Sequence, residues 1–203
     1  MLARRRAGSV RAAMPPGSEL LLPGLLSERT VALAGGARPE IVSALSGAGA
    51  HIVELGGSAG MPEHERDAEA WAAAHAPIHA LVYDADHGFG PGGADALRDA
   101  VDEGWRAIHA VATTALIPSG QGGAIMLLAP RAGAGVHASA VRAALENTAR
   151  TLSVEWARFA ITTTAIAPGA GTSDQEVATL LTFLLSRAGA YFSGCRFELG
   201  AVA

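Results

Sequence analysis

The sequence predicts a doubly wound α/β fold in one domain, with a single parallel sheet flanked by helices on both faces. Three observations predict it. Short apolar runs of strand length alternate with longer segments of helical periodicity. A glycine turn joins the first apolar run to the first helix. The chain has 203 residues, of which 50% are hydrophobic, and this suits one domain with a sizeable core.

The first strand, turn and helix form the clearest unit. Residues 30–34 are an apolar run that ends at Gly35-Gly36. Pro39 suits the first turn of the helix predicted over 39–48, and a second strand follows at 50–55. A strand, turn, helix and strand within ~30 residues is a βαβ unit, which implies a right-handed crossover and a parallel sheet.

The same alternation continues to the end of the chain. The helix predicted over 94–117 places Leu97, Val101 and Trp105 along one side, and a second long helix over 137–159 carries a small-and-apolar stripe. No internal repeat or linker divides the chain, so residues 25–203 are expected to form one domain. The remaining elements are predicted helices at 61–76 and 174–187 and predicted strands at 78–83, 124–128, 161–167 and 196–199.

Residues 1–24 are expected to be a disordered tail, and either Met1 or Met14 is the true start. No apolar run approaches the ~20 residues needed to cross a bilayer. No apolar stretch of signal-peptide length follows the cluster Arg4-Arg5-Arg6. These features predict a cytoplasmic protein, and the net charge of −4 argues against a general affinity for nucleic acid.

Residue usage excludes several kinds of chemistry. Cys195 is the only cysteine, which rules out an intramolecular disulfide framework and a multi-cysteine metal site. All 15 basic residues are arginine, so a mechanism that requires a lysine amine is excluded. The run His64-Glu65 with Asp67 is interpreted as solvated, because no further ligand follows at metal-site spacing, and no metal is expected.

Four segments together resemble the short-chain dehydrogenase/reductase family. The most specific match runs through residues 138–169, and the resemblance covers roughly residues 25–200. It implies a Rossmann-like fold and, in intact members, oxidation of alcohols or reduction of carbonyls with a nicotinamide cofactor. The matching segments are Thr30–Arg38 with the glycine turn, Ala80–Asp86, Ala138–Arg158 and Ala165–Gly169.

The resemblance also implies that the catalytic residues are lost. The family uses a tyrosine as proton donor, a lysine four residues later, and a serine after the fifth strand. Here His137 stands at the tyrosine position, Val141 at the lysine position and Ala129 at the serine position. Valine supplies neither the charge that lowers the donor pKa nor a hydrogen bond. Arg142 is next in sequence, but one residue along a helix turns about 100° away, so no catalytic residue is expected.

The cofactor site is likewise expected to be lost. Only the first pair of the family's three glycines remains, Pro39 removes a backbone N–H, and Glu40 puts a negative charge where a pyrophosphate would lie. Arg38 remains a candidate ligand for phosphate. Asp84 and Asp86 are expected to crowd and charge the adenosine pocket. The vestigial cofactor-binding positions are Gly35, Gly36, Arg38, Asp84, Pro168 and Gly169.

Two further features bear on a bound cofactor or substrate. Gly56 stands where a ribose-binding acid often lies, and strand alternation could point the neighbouring Glu54 elsewhere. Residues 170–173 run almost directly into the next helix, so a substrate lid is expected to be absent.

The resemblance implies that the two long helices contact a second subunit. In this family the helices equivalent to 94–117 and 137–159 pair with a second subunit, and residues 191–200 resemble a segment used in tetramer contacts. The leading hypothesis is a non-catalytic subunit that pairs with an active paralogue, which itself holds NAD(P); a homo-oligomer is a weaker version. The alternative is a working NAD(P)-dependent oxidoreductase that uses His137 as its acid.

Overall fold

A computed structural model describes residues 24–57, 60–87, 89–90 and 92–200. The described residues form one six-stranded parallel sheet in the order β2-β1-β3-β4-β5-β6, which confirms the predicted Rossmann-like α/β fold. Apart from Gly24, the predicted tail over residues 1–24 lies outside the described residues. The strands are β1 (Thr30–Ala34), β2 (His51–Leu55), β3 (Ala80–Asp84), β4 (Gly123–Leu128), β5 (Ile161–Pro168) and β6 (Arg196–Leu199).

Six α-helices connect and cover these strands. The long helical segment after β3 contains a π-helical turn over Ala112–Leu116, and short 3₁₀ turns follow α5 and α6. None of the described helices is long and apolar enough to span a bilayer. The helices are α1 (Pro39–Gly47), α2 (Glu65–Ala74), α3 (Gly93–Val111), α4 (Ile117–Ser119), α5 (Ala138–Glu155) and α6 (Asp174–Leu184).

Two predicted helices differ in detail from those observed. The helix predicted over 61–76 begins only at Glu65, because His64 has extended backbone angles, and it ends at Ala74 shortly before Pro77. The helix predicted over 94–117 is interrupted by the π turn. Pro118 lies just beyond that turn and has no N–H to donate to the preceding turn, which accounts for the local change in hydrogen bonding.

The hydrophobic core lies on both faces of the sheet. On one face, α1 and α6 pack together over β1, β3 and β4, with Leu45 and Leu181 fully buried. On the other face, α2, α3 and α5 cover the sheet, with Ile108 and Val141 in the core. Burial of each such side chain stabilises the fold by about 1.5–3 kcal/mol. The packed helices on both faces therefore hold the strands, and with them their carboxyl ends, in fixed positions.

The strand order reverses between β1 and β3. After β1 the chain passes through α1 to β2 on one side, and then through α2 to β3 on the other side of β1. Ligands of open α/β sheets bind at the carboxyl ends of the strands beside such a reversal. The turns that follow Ala34 and Asp84 therefore mark the place where a functional site is expected.

Candidate functional site

The glycine turn after β1 packs directly on the end of β3. Gly35 and Gly36 have φ angles of +82° and +128°, which a side chain would strain. A Cβ on Gly35 would lie 2.4 Å from the backbone oxygen of Asp84. The turn borders a cavity of about 310 Å³, whose lining includes Glu54. Glu54 and the glycine turn thus border the same cavity.

An imidazole covers the second glycine. A Cβ on Gly36 would lie 2.1 Å from the Cδ2 atom of His87, so the ring sits against the turn. In dinucleotide-binding folds the glycines at such a turn let the pyrophosphate approach the backbone. Here the His87 ring occupies part of that approach. Sequence reasoning did not single out His87, since nothing in its local pattern links it to a turn 51 residues earlier.

Arg38 is buried at the beginning of α1 and is fully engaged by carboxylates. Its Nε donates to Asp84 at 2.7 Å and its Nη2 donates to the other oxygen of Asp84 at 2.9 Å. Its Nη1 donates to Asp174 at 2.5 Å and lies 3.2 Å from Asp86. The Arg38 side chain is only 6% exposed. Every terminal nitrogen that could contact a phosphate is therefore already committed to a carboxylate.

Arg131 extends this ion-pair network across the edge of the sheet. Its Nη1 contacts Asp86, its Nη2 contacts Asp174 at 2.5 Å, and its Nε donates to the backbone oxygen of Thr172 at 3.2 Å. The backbone N–H of Arg131 also donates to Asp86 at 2.6 Å. The loops after β1, β3, β4 and β5 are thus joined by one set of charges, named here the edge network: Arg38, Asp84, Asp86, Arg131 and Asp174.

The positive and negative charges of the edge network nearly cancel. Burial raises the pKa of Asp84, whereas the hydrogen bonds and charge of Arg38 act in the opposite sense. For Arg38, burial would lower the pKa, but the carboxylates around it raise it. We take the pair as ionised, because Asp84 accepts two bonds from Arg38 and one each from the N–H groups of Asp86 and His87.

This pairing refines the expectation for the adenosine pocket. Asp84 and Asp86 lie at the end of β3 and do not leave it with unbalanced negative charge, because Arg38 and Arg131 lie against them. Partial burial would raise the pKa of Asp174, yet its bonds to the two arginines hold it below the usual range. The site is thus filled by paired charges of the chain itself.

Tyr83 fills the space beneath the same turn. Its side chain is buried, and its hydroxyl donates to the backbone oxygen of Ala100 at 2.6 Å. A Cβ on Gly104 would lie 2.7 Å from the Tyr83 ring, so the ring packs against the backbone of α3. Burial, with lesser contributions from nearby carboxylates, raises the pKa of Tyr83 far above its ordinary value. Tyr83 is therefore a structural phenol and not a proton donor.

Replacing Tyr83 with phenylalanine is expected to lower the free energy of unfolding by about 1–2 kcal/mol, because the buried hydrogen bond from the hydroxyl to the oxygen of Ala100 is lost. Urea denaturation followed by far-UV circular dichroism measures this. Tyr191→Phe is the matched control, because Tyr191 is 90% exposed and its loss should change stability by less than about 0.5 kcal/mol. Equal stability of the two variants would contradict the assigned role of the Tyr83 hydroxyl.

The three residues that the sequence analysis places at the family's catalytic positions differ in burial. Val141 is 0% exposed and packs in the core beneath α5, and Ala129 is buried with its N–H donating to Ile166. His137 is half-buried at the N-cap of α5 and its side chain makes no capping hydrogen bond. Ser119 lies at the opposite, amino end of the sheet, where it lines a separate cavity of about 720 Å³.

Arg142 lies at the carboxyl edge, although Val141 before it points into the core. Its Nη1 donates to the backbone oxygens of Pro130 at 2.8 Å and Pro168 at 2.7 Å. Burial, and then the charge of Arg196, lower its pKa. The guanidinium therefore ties α5 to the loops after β4 and β5. Sequence reasoning noted that Arg142 turns away from Val141 but did not foresee this structural role.

The connection after β5 is short. The N–H of Gly169 donates to the backbone oxygen of Leu199 at 2.8 Å, and a Cβ on Gly169 would lie 2.9 Å from that oxygen. Residues 169–173 lead directly into α6, which begins with a reciprocal cap between Ser173 and Glu176. Among the described residues, no inserted loop or helix stands between β5 and α6 to cover a substrate.

Comparison with known proteins shows what this fold is. The sequence matches no family model, and no curated protein matches it. Solved structures do match. A citronellol catabolism dehydrogenase of Pseudomonas aeruginosa is 23% identical, with a TM-score of 0.70 over 89% of this chain and 97% of that chain. A hydroxysteroid dehydrogenase of Escherichia coli is 21% identical, with a TM-score of 0.70 over 89% and 99%.

A third structure agrees with these two. A short chain dehydrogenase of Mycobacterium smegmatis is 18% identical, with a TM-score of 0.71 over 89% of this chain and 95% of that chain. At such identities the likeness establishes the fold, and the chain has the Rossmann-like fold of short-chain dehydrogenases. What the chain does with that fold depends on the site residues described above.

Proposed function

We propose that this chain is a non-catalytic subunit that pairs with an active short-chain dehydrogenase/reductase of the same fold. The observation that carries the proposal is the edge network. Where a cofactor's phosphates and adenosine would lie, Arg38 and Arg131 are bound to Asp84, Asp86 and Asp174. In the complex the partner holds NAD(P), and this chain holds none.

The energetics of the edge network support that assignment. A pyrophosphate could gain Nε and Nη2 of Arg38 only by displacing Asp84, which would leave a carboxylate 2% exposed without its cation. It could gain Nη1 only by displacing Asp174, which is partly exposed. Breaking a buried ion pair by removing one partner typically costs about 3–5 kcal/mol. The beginning of α1 offers little in return, because Pro39 has no N–H and Glu40 lies in the first turn. Binding of a dinucleotide is therefore opposed by this chain's own ion pairs.

The described part of this chain also offers no suitable cation for hydride transfer. Hydride transfer of this type needs a fixed positive charge beside the proton donor. Val141 is buried in the core, Arg142 is engaged by backbone oxygens, and the chain contains no lysine. His137 would then have to transfer a proton without a cation beside it.

The outer face of α3 and α5 supports the pairing. On α5 five exposed residues at helical spacing are uncharged, and the exposed Arg150 and Glu155 flank them: Ala140, Ala143, Asn147, Thr151 and Val154. Val154 is 78% exposed and Trp105 on α3 is 47% exposed. Between the two helices lies a shallow groove of about 220 Å³, lined in part by Trp105, Ala144 and Thr148. Small side chains permit close helix packing, and exposed tryptophan is typical of contact surfaces.

The first test is cofactor binding. Tag-free protein is titrated with NADH and NADPH while tryptophan fluorescence is recorded, and equilibrium dialysis measures the bound fraction. We expect no saturable quenching and no bound cofactor. Stoichiometric binding, together with turnover that His137→Ala abolishes, would instead establish the alternative, an NAD(P)-dependent oxidoreductase that uses His137.

The second test is the partner. We expect co-expression with an active dehydrogenase encoded beside this chain to give a complex that co-purifies and has the mass of a heteromer by light scattering. Val154→Arg should lower recovery of that complex at least about tenfold, since a charge is buried without a partner. Glu40→Arg, on the opposite face of the sheet, is the control and should leave recovery unchanged. A complex insensitive to Val154→Arg would place the contact elsewhere.

A further inference from the structure

We infer that Glu65, Glu69 and His109 form a binding site for a divalent cation of the zinc type between α2 and α3. The Nδ1 atom of His109 lies 2.6 Å from Oε1 of Glu65 and 4.0 Å from Oε1 of Glu69. One ligand atom from each of the three residues lies within 4.8 Å of the others. Neither the edge network nor the proposed pairing uses these residues, so the inference stands apart from the proposed function.

The two carboxylates share one side of α2 and have little positive charge near them among the described residues. Glu65 and Glu69 are spaced i, i+4 on α2, where like charges destabilise a helix. Among the described residues, the only ion-pair partner within 4.0 Å of either carboxylate is His109. The nearby arginines are used elsewhere: Arg66 lies beside Asp67, and Arg106 donates to the backbone oxygen of Pro62.

The histidine gives a second and independent indication. The Nδ1 atom of His109 is buried, and among the described residues it has no partner in hydrogen-bond geometry, even though Glu65 is only 2.6 Å away. A buried ring nitrogen is normally satisfied by a donor, an acceptor or a metal. The Trp105 ring stacks on His109 with the centroids 5.6 Å apart, which restricts the orientation of the imidazole. The nitrogen is thus held beside two carboxylates without the bond that would satisfy it.

The ligand set selects the class of ion. One imidazole nitrogen and two carboxylate oxygens suit Zn²⁺, which binds both kinds of atom in tetrahedral sites and accepts water as a fourth ligand. Ca²⁺ would require six to eight oxygen ligands. All three side chains are partly exposed, so water can complete the coordination. The bound ion would join α2 to α3, the helix that carries Trp105 on the proposed contact surface.

The test uses the full chain without a histidine tag, freed of metal by a chelator. Isothermal titration with ZnCl₂ is expected to show one Zn²⁺ per chain. His109→Gln and Glu69→Gln should each weaken binding at least about tenfold, since loss of a direct ligand should exceed typical outer-shell effects. His75→Gln is the matched control: His75 also stacks on a tryptophan, Trp71, but its Nδ1 contacts the backbone oxygen of that residue.

A second readout separates binding from folding. Zn²⁺ should raise the thermal unfolding midpoint of the parent chain and of His75→Gln, and should leave that of His109→Gln and Glu69→Gln unchanged. Co²⁺ in place of Zn²⁺ should give a visible absorption band that both cluster variants lose. The inference is overturned if the parent chain shows no saturable Zn²⁺ binding, or if either folded cluster variant binds Zn²⁺ as tightly as His75→Gln does.

Discussion

Replacement of Arg38 with methionine should lower the free energy of unfolding by about 3–5 kcal/mol. Methionine keeps much of the side-chain volume, so packing changes little. The charge partner, however, remains: Asp84 is 2% exposed and would lose both hydrogen bonds from Arg38, so it must either hold an unpaired buried charge or take up a proton. Asp86 retains Arg131, and Asp174 is partly exposed and also retains Arg131. The cost therefore arises mainly at Asp84.

The measurement is equilibrium urea unfolding of the isolated chain. Arg98→Met is the matched control, because Arg98 pairs with Asp95 on α3 and both side chains are exposed, so that variant should lose less than about 1 kcal/mol. The double variant Arg38→Met/Asp84→Leu removes the stranded charge and should recover part of the loss. If Arg38→Met is as stable as Arg98→Met, Arg38 and Asp84 do not form a stabilising buried ion pair, and the main argument against cofactor binding fails.

Local patterns were sufficient to predict the sheet. The apolar runs that became β1, β3 and β4 have buried side chains on both faces, and such runs are read directly from sequence. Helix ends were predicted less well. The helix expected from residue 61 begins at Glu65, and the helix expected to run unbroken to residue 117 contains a π turn before Pro118. These ends depend on backbone geometry that periodicity does not encode.

The candidate site was predicted as a set of residues but not as an arrangement. Arg38, Asp84 and Asp86 were all singled out from sequence, yet their pairing was not foreseen. Arg38 reaches Asp84 across 46 positions and Asp174 across 136. Nothing local indicates such a bond, because it forms only when the ends of different strands meet at one edge. His87 over Gly36 and His109 beside Glu65 were missed for the same reason.

Val141→Lys should also destabilise the chain strongly, and this variant tests the position where the resemblance places the family's lysine. Val141 is 0% exposed and packs in the core between α5 and the sheet. A lysine held there must lose its proton or expose its charge, and buried lysines have pKa values of about 5–6 in place of about 10.4. At pH 7 deprotonation alone costs about 4–5 kcal/mol. Val154→Lys, at a position 78% exposed on the same helix, should cost less than about 1 kcal/mol.

The pH dependence distinguishes burial of the charge from simple crowding. A lysine whose pKa is lowered in the folded chain has its full penalty below that folded pKa. The penalty falls as pH rises towards the unfolded value of about 10.4. The stability gap between Val141→Lys and the parent chain, measured by urea unfolding of the isolated proteins, should therefore shrink from pH 7 to pH 9.5 by about 3 kcal/mol.

Placing the family's tyrosine and lysine at positions 137 and 141 is not expected to create a catalytic site. His137→Tyr/Val141→Lys should show no NADPH-dependent carbonyl reduction, because the lysine amine has no open site to enter and, under the proposed function, the edge network still opposes cofactor binding. The opposite result would be informative. If Val141→Lys were as stable as Val154→Lys at pH 7, the amine would have reached solvent or the site. A lysine would then fit at position 141, and the proposal of a non-catalytic chain would rest on the edge network alone.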